Sequence, residues 1–275
     1  NKFGINFEEA VTDFNKTYPF IAVNYWRASQ IELAAKLEAE FTAGRASVDI
    51  VLGTEPHHFP RWRKMGLFEK ITDLIPGIEK MPKAMFSRYG DWAQPGNNAS
   101  APQFNTKLVP EAEAPKRWED LLDPKWKGQL VVPNMVTAWY TLALGDGGWG
   151  IERTENLLTK LREQKLTYVS TPTAGHALVI SGEAKVLGFG FVYHVLRSRE
   201  KEAPVNWSRV NPIPVTGPAY ILQKRAHHPN AAKLFLEWLF SNQGLIAYEK
   251  ATYFGAIYPG AETRLNKEMQ GANLV

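Results

Sequence analysis

The 275-residue chain contains no cysteine. That excludes disulfides, thiolate metal sites and a cysteine nucleophile. No apolar run approaches about eighteen residues, so no segment reads as a membrane-spanning helix. There is no G-x-S-x-G, and no Ser/His/Asp set sits in a supporting context. Gly188-Phe189-Gly190 is a lone G-x-G without a third glycine or a following helix start, which argues against a dinucleotide fingerprint. Gly145-Asp146-Gly147-Gly148 has the composition of a phosphate loop. It follows a helix and lacks the Lys-Ser/Thr ending, so it reads as a helix stop. His57-His58 and His227-His228 are adjacent pairs whose side chains point to different faces, so neither forms a metal site by itself. The net charge is +4. Its basic residues are scattered and form no stripe interleaved with aromatics, which speaks against nucleic-acid binding.

The composition that remains is ordinary for a globular protein, with 44% hydrophobic and 22% charged residues. The length suits two domains of usual size. Residues 7–18 carry apolar positions at a helical period, ended at Pro19. Ile21 to Trp26 alternates as a strand. Residues 29–44 predict a helix capped by Ser29 and stopped at Gly44. Residues 48–52 form a short apolar run, read as a buried parallel strand. Short helical pieces fill 60–97. Strands are expected at 99–104, 129–133, 167–170 and 186–191, and extended chain at 211–223. Helices are expected near 136–144, 150–164, 173–181, 229–241 and 243–250. This alternation predicts an α/β fold with mostly parallel sheets flanked by helices.

In such sheets, ligands bind beyond the carboxyl ends of strands and at helix N-termini, where free N–H groups favour anions. Four places qualify: Gly53-Thr54-Glu55, Asn134–Ala138, Thr171–Ala174 and Val192-Tyr193-His194. A threonine before a helix is also the residue an ordinary cap requires, and a tyrosine at a strand end also serves packing. Among the nine tryptophans, Trp26 and Trp139 stand where they could line a cleft.

The stretch from Phe104 to Pro133 carries a longer signal. Phe104-Asn105-Thr106 is followed by Trp118-Glu119-Asp120-Leu121-Leu122-Asp123-Pro124-Lys125-Trp126-Lys127-Gly128. This order resembles the hinge-proximal segment of solute-binding proteins of bacterial ABC importers, especially the ferric-iron-binding group. The resemblance implies a two-lobed, type II periplasmic-binding fold with the ligand cleft between the lobes. It places residues 1–103 and 213–250 in a first, discontinuous lobe and 104–212 in a second. Residues 251–275 are expected to pack near the second lobe. It further implies a mature periplasmic or lipid-anchored chain whose signal peptide has been removed. Capture of a small solute by a monomer and delivery to a permease in the inner membrane would follow. No catalysis is implied, and no cofactor beyond transported Fe³⁺ with a synergistic anion.

The same resemblance bears on the site. A glutamate in the family's T-E turn matches Thr54-Glu55. The family's tandem tyrosine falls on Val192-Tyr193, so only the second tyrosine is kept. The family's first-strand histidine has no counterpart, because no histidine precedes His57. Glu55 and Tyr193 are thus the metal ligands if ferric iron is the solute, and two protein oxygens are few for it. The ligand set expected here is Thr54, Glu55, Thr137, Ala138, Thr173, Ala174 and Tyr193, holding a small anionic solute or an anion-assisted metal. Ferric iron alone is one alternative. The other, of a different class, is an α/β hydrolase or transferase using His194 with Glu55 as an acid–base pair.

Overall fold

The computed structural model describes every residue except 1–6, 27, 29, 54–57, 82, 135, 136 and 146, and leaves the side chains of 30, 31, 84, 137 and 138 undescribed. The chain runs through α1 (Phe7–Thr17), α2 (Gln30–Thr42), β1 (Ile50–Gly53), α3 (Phe59–Met65), β2 (Asn98–Asn105) and β3 (Leu130–Pro133). It continues through α4 (Thr137–Leu144), α5 (Ile151–Leu161), β4 (Thr167–Val169), α6 (Pro172–Ser181), β5 (Val186–Phe191) and α7 (Val192–Arg199). Then come β6 (Val205–Trp207), β7 (Val215–Thr216), β8 (Ala219–Leu222), α8 (Pro229–Leu239), α9 (Asn242–Thr252) and α10 (Arg264–Glu268). The chain divides into two compact units, 1–97 with 217–269 and 98–216 with 270–275.

The first unit is built on an antiparallel pair, β1 against β8, with Ile50 opposite Leu222 and Gly53 opposite Ala219. The parallel β-α-β arrangement expected for residues 21–52 is therefore not what forms. Ile21–Trp26 joins no ladder, because among the described residues β1 pairs with β8 alone. Hydropathic alternation marks which faces a strand could bury, but a strand also needs a partner for its backbone groups. Over the pair lie Leu37 of α2, Phe59 and Trp62 of α3, Val51 and Ile221, all buried in one apolar cluster. Gly53 is needed there, since a Cβ would stand 2.8 Å from the Phe59 ring. Ala10 and Phe14, one turn apart on α1, form its buried face. Phe14 packs edge-on against Phe235 and Trp238 of α8, at 5.0 and 5.2 Å between ring centres.

The C-terminal stretch was expected beside the second lobe, but residues up to 269 lie in the first unit. The reason is the buried Glu249 carboxylate of α9. It accepts backbone N–H bonds from Arg264 at 2.6 Å and Leu265 at 2.7 Å, capping the first turn of α10. A carboxylate buried among two such donors holds this segment where it folds.

The second unit carries a six-stranded mixed sheet in the order β4-β3-β5-β2-β6, with β7 also on β2. β4, β3 and β5 are parallel, and β2 is antiparallel to β5, β6 and β7. β2 is buried along its whole length. Its register shifts between Ala101 and Gln103, at Pro102, which has no N–H to give to a ladder. Trp118 stacks on Phe189 at 5.0 Å, and Trp139 meets the same ring at 4.5 Å. Trp139 is thus part of this core rather than a cleft-lining residue. Trp26, in the first unit, is exposed with the Lys36 ammonium 5.8 Å from its ring.

The stretch from Phe104 to Pro133 owes its residue order to backbone satisfaction. Asn105 is buried; its amide donates to the Val179 carbonyl at 2.7 Å, while its oxygen accepts from the Lys107 N–H at 2.9 Å. The Asp120 carboxylate accepts the N–H groups of Lys116 and Arg117, both at 2.9 Å. Burial works against that charge, yet those bonds and the Arg117 guanidinium hold Asp120 below the usual carboxylate range. The Trp118 indole donates to the Pro212 carbonyl at 2.8 Å, and the Trp126 indole to the Asp120 carbonyl at 3.0 Å. Gly128 has φ +74, the left-handed turn that ends the segment before β3.

Candidate functional site

Of the expected ligand residues, Thr54 and Glu55 lie outside the described residues, as do the side chains of Thr137 and Ala138 at the start of α4. Thr173, Ala174 and Tyr193 are described, and all three belong to the second unit.

α6 begins on Thr171, whose extended backbone and hydroxyl form an N-cap; the hydroxyl accepts the Ala174 N–H at 3.1 Å. Pro172, at the first helical position, has no N–H to offer. The Gly175 N–H bonds the Thr171 carbonyl at 3.2 Å. Among the described residues, the Thr173 N–H is left without an acceptor, next to its own exposed hydroxyl. The helix start thus keeps one amide and one hydroxyl for a ligand. Ala174 gives its N–H to the cap.

α7 begins directly at the end of β5, so Tyr193 stands in its first turn rather than in a loop. The Tyr193 ring stacks on Phe191 at 5.8 Å and lies 4.3 Å from the His194 ring. Burial pushes the Tyr193 phenol up to about 12, with the Arg197 cation pulling the other way. The phenol is therefore protonated, a donor, throughout the neutral range.

Thr173 and His194 bring the two helix starts together, with 3.4 Å between Thr173 Oγ1 and His194 Nε2. His194 is buried, and its Nδ1 has no partner among the described residues. Burial, aided by the neighbouring His176 and Arg197, lowers its pKa to about 3. Burial alone lowers His176 to about 4. Both imidazoles are neutral near pH 7. A bare Nδ1 costs less as a lone pair than as an N–H, which assigns the proton of His194 to Nε2, facing Thr173.

Two residues that sequence reasoning missed lie beneath these starts. Gln103 of β2 donates from Nε2 to the Phe191 carbonyl at 2.8 Å. Its Oε1 stands 2.6 Å from His176 Nδ1, and His176 Nε2 stands 2.8 Å from the Ser198 hydroxyl. His176 carried a signal, a polar residue in the apolar run Ala174–Ile180; Gln103 carried none, since β2 also holds Asn98, Ser100 and Asn105. The expected acid–base role of His194 does not fit its surroundings. A buried imidazole that resists protonation is a poor general acid, and Glu55 lies outside the described residues.

Comparison with known proteins agrees with this architecture. Residues 3–246 match the family described as bacterial extracellular solute-binding protein. The iron-bound HitA of Pseudomonas aeruginosa superposes with a TM-score of 0.73 at 19% identity, covering 94% of this chain and 84% of that one. AfuA of Actinobacillus pleuropneumoniae, with bound fructose-6-phosphate, gives 0.72 at 21% identity, covering 99% and 88%. At these identities the likeness is one of fold, that of the type II periplasmic binding proteins. An uncharacterized Haemophilus influenzae protein is 29% identical over 140 residues, which is 48% of this chain and 39% of the relative's length. Members of the matched family bind solutes and are not enzymes, which sets aside the hydrolase or transferase alternative. The chain belongs to the bacterial extracellular solute-binding proteins.

Proposed function

We propose that the protein is the periplasmic solute-capturing component of an ABC importer, handing a small anionic solute, or a metal bound together with an anion, to an inner-membrane permease. It would act as a monomer. The supporting observation is the donor set joined by the contact between Thr173 and His194. The Thr173 N–H and hydroxyl sit at the positive end of α6, and the Tyr193 phenol stays protonated. The Arg197 cation is close enough to act on both Tyr193 and His194. Donors and a positive field suit a carboxylate or phosphate oxygen. A ferric ion needs several anionic oxygens instead, and Glu55 with Tyr193 supplies only two. Thr54, Glu55, Thr137 and Ala138 complete the proposed ligand set, with Glu55 and Tyr193 the protein oxygens available to an anion-assisted metal.

Two relatives with the same fold span the alternatives, one with iron bound and one with a sugar phosphate. Native mass spectrometry of the protein as purified, with metal analysis, separates them. A bound small organic or phosphate-bearing anion supports the proposal. One iron per chain with no accompanying anion overturns it.

A further inference from the structure

We propose that Gln103 and His176 are positioning residues for this site: they fix the start of α7, and with it the places of Tyr193 and His194, against the start of α6. The proposal rests on the solute site described above.

Gln103 is fully buried on β2. Its amide group donates to the carbonyl of Phe191, the N-cap of α7. That orients the amide oxygen toward His176, which must then donate from Nδ1. His176 Nε2 is left as a lone pair, and the Ser198 hydroxyl donates to it. Every group in the chain Ser198–His176–Gln103–Phe191 is thereby used in one sense only. The chain grips α7 twice: at the Phe191–Val192 peptide that opens the helix, and at Ser198, one turn beyond His194.

His176 belongs to α6, one turn beyond Thr173. One imidazole therefore ties together the helix that carries Thr173, the strand that carries Gln103 and the helix that carries Tyr193 and His194. The rings of His176 and His194 are 5.2 Å apart. Gly190 shows how closely the amide is seated, since a Cβ there would lie 2.5 Å from Gln103 Cδ and Nε2. A network built on the buried Gln103 and His176 side chains favours one geometry, because rotating either group breaks the bonds it makes.

The test compares three variants with the wild type. Gln103→Met removes both ends of the link. His176→Gln can reach Ser198 but not Gln103. His176→Asn keeps a donor near the place of Nδ1. Two readouts are taken: the ring signal of Tyr193 in ¹³C-tyrosine-labelled protein, assigned by its loss in Tyr193→Phe, and the affinity for inorganic phosphate. Gln103→Met and His176→Gln should displace the Tyr193 signal and weaken phosphate binding by about tenfold. His176→Asn should restore the signal and bring affinity back to within about threefold. A Tyr193 signal unmoved in folded Gln103→Met or His176→Gln protein overturns the proposal. So does a His176→Asn variant that behaves like His176→Gln. Should Gln103→Met fail to fold, the two polar His176 variants decide alone. If the wild type does not bind phosphate, inorganic phosphate is not the anion held there, while the Tyr193 signal still tests the positioning.

Discussion

Residues 104–133 and the paired helix starts at 171–176 and 191–198 belong to the same unit, yet they spend their polar side chains in opposite ways. In the first region Asn105 and Asp120 both answer neighbouring backbone groups, and the Trp118 indole ends on a carbonyl. Those polar groups are matched within the fold. At the helix starts the Thr173 N–H has no acceptor and the His194 Nδ1 has no partner among the described residues. The ionisable groups there are held neutral by burial. Matched groups stabilise a fold, while unmatched groups, here the exposed Thr173 amide beside the buried His194 ring, are what a ligand can complete. The region that makes the family recognisable is thus not the region proposed to bind.

The largest effect should come from the first region. Trp118→Ala removes the ring that stacks on Phe189 and the indole bonded to Pro212. It should lower the unfolding free energy by about 3–5 kcal/mol in urea titration. A loss under about 1 kcal/mol would remove the structural half of the comparison.

Next in size is a response to acid that originates at the helix starts. An unfolded histidine takes up its proton near pH 6.5, whereas folded His176 and His194 do so only near 4 and 3. The unfolded chain therefore binds more protons in that window. Stability is fully present above about pH 6.5 and falls as pH drops toward the folded values, by about 1.4 kcal/mol per pH unit for each histidine. Urea midpoints at pH 7 and pH 5 check this. The His176→Asn variant should show the shallower dependence, and equal slopes would mean that His176 is not held neutral.

The comparison is sharpened further by Tyr193→Phe. Solute affinity should fall by about 1–3 kcal/mol, if the hydroxyl's ligand partner is left buried and unpaired. Unfolding free energy should change by less than about 1 kcal/mol. Unchanged affinity by calorimetry removes Tyr193 from the site.

What the sequence disclosed follows the same division. Trp118, Asp120, Asp123 and Gly128 were legible because each performs a local task at fixed spacing: an anchor, two caps and a left-handed stop. β2, β3, β4, β5 and most helices were legible from their pattern, whereas β6, three residues long, and α7, which follows β5 without a break, were not. Ile21–Trp26 was misread, since alternation reports amphipathicity and not the presence of a neighbouring strand. The antiparallel course of β8 beside β1 was hidden for a similar reason: its partner lies more than 160 residues away. A capping threonine at 171 or 173 was legible, but not that Thr171 would take the role and, with Pro172, leave the Thr173 amide without an acceptor among the described residues. His176 gave only the faint signal of a polar residue in an apolar run, and Gln103, on a strand that also holds Asn98, Ser100 and Asn105, gave none. Their importance depends on a contact between residues 73 apart.

The anion claim is tested most directly by calorimetric titration of stripped protein with Fe³⁺ alone, Fe³⁺ with citrate, and a panel of small carboxylates and phosphate esters. The donor set at Thr173 and Tyr193 predicts binding to a member of the panel or to iron only in the presence of its anion. Tight one-to-one binding of Fe³⁺ without any anion, and no response to the panel, would contradict it.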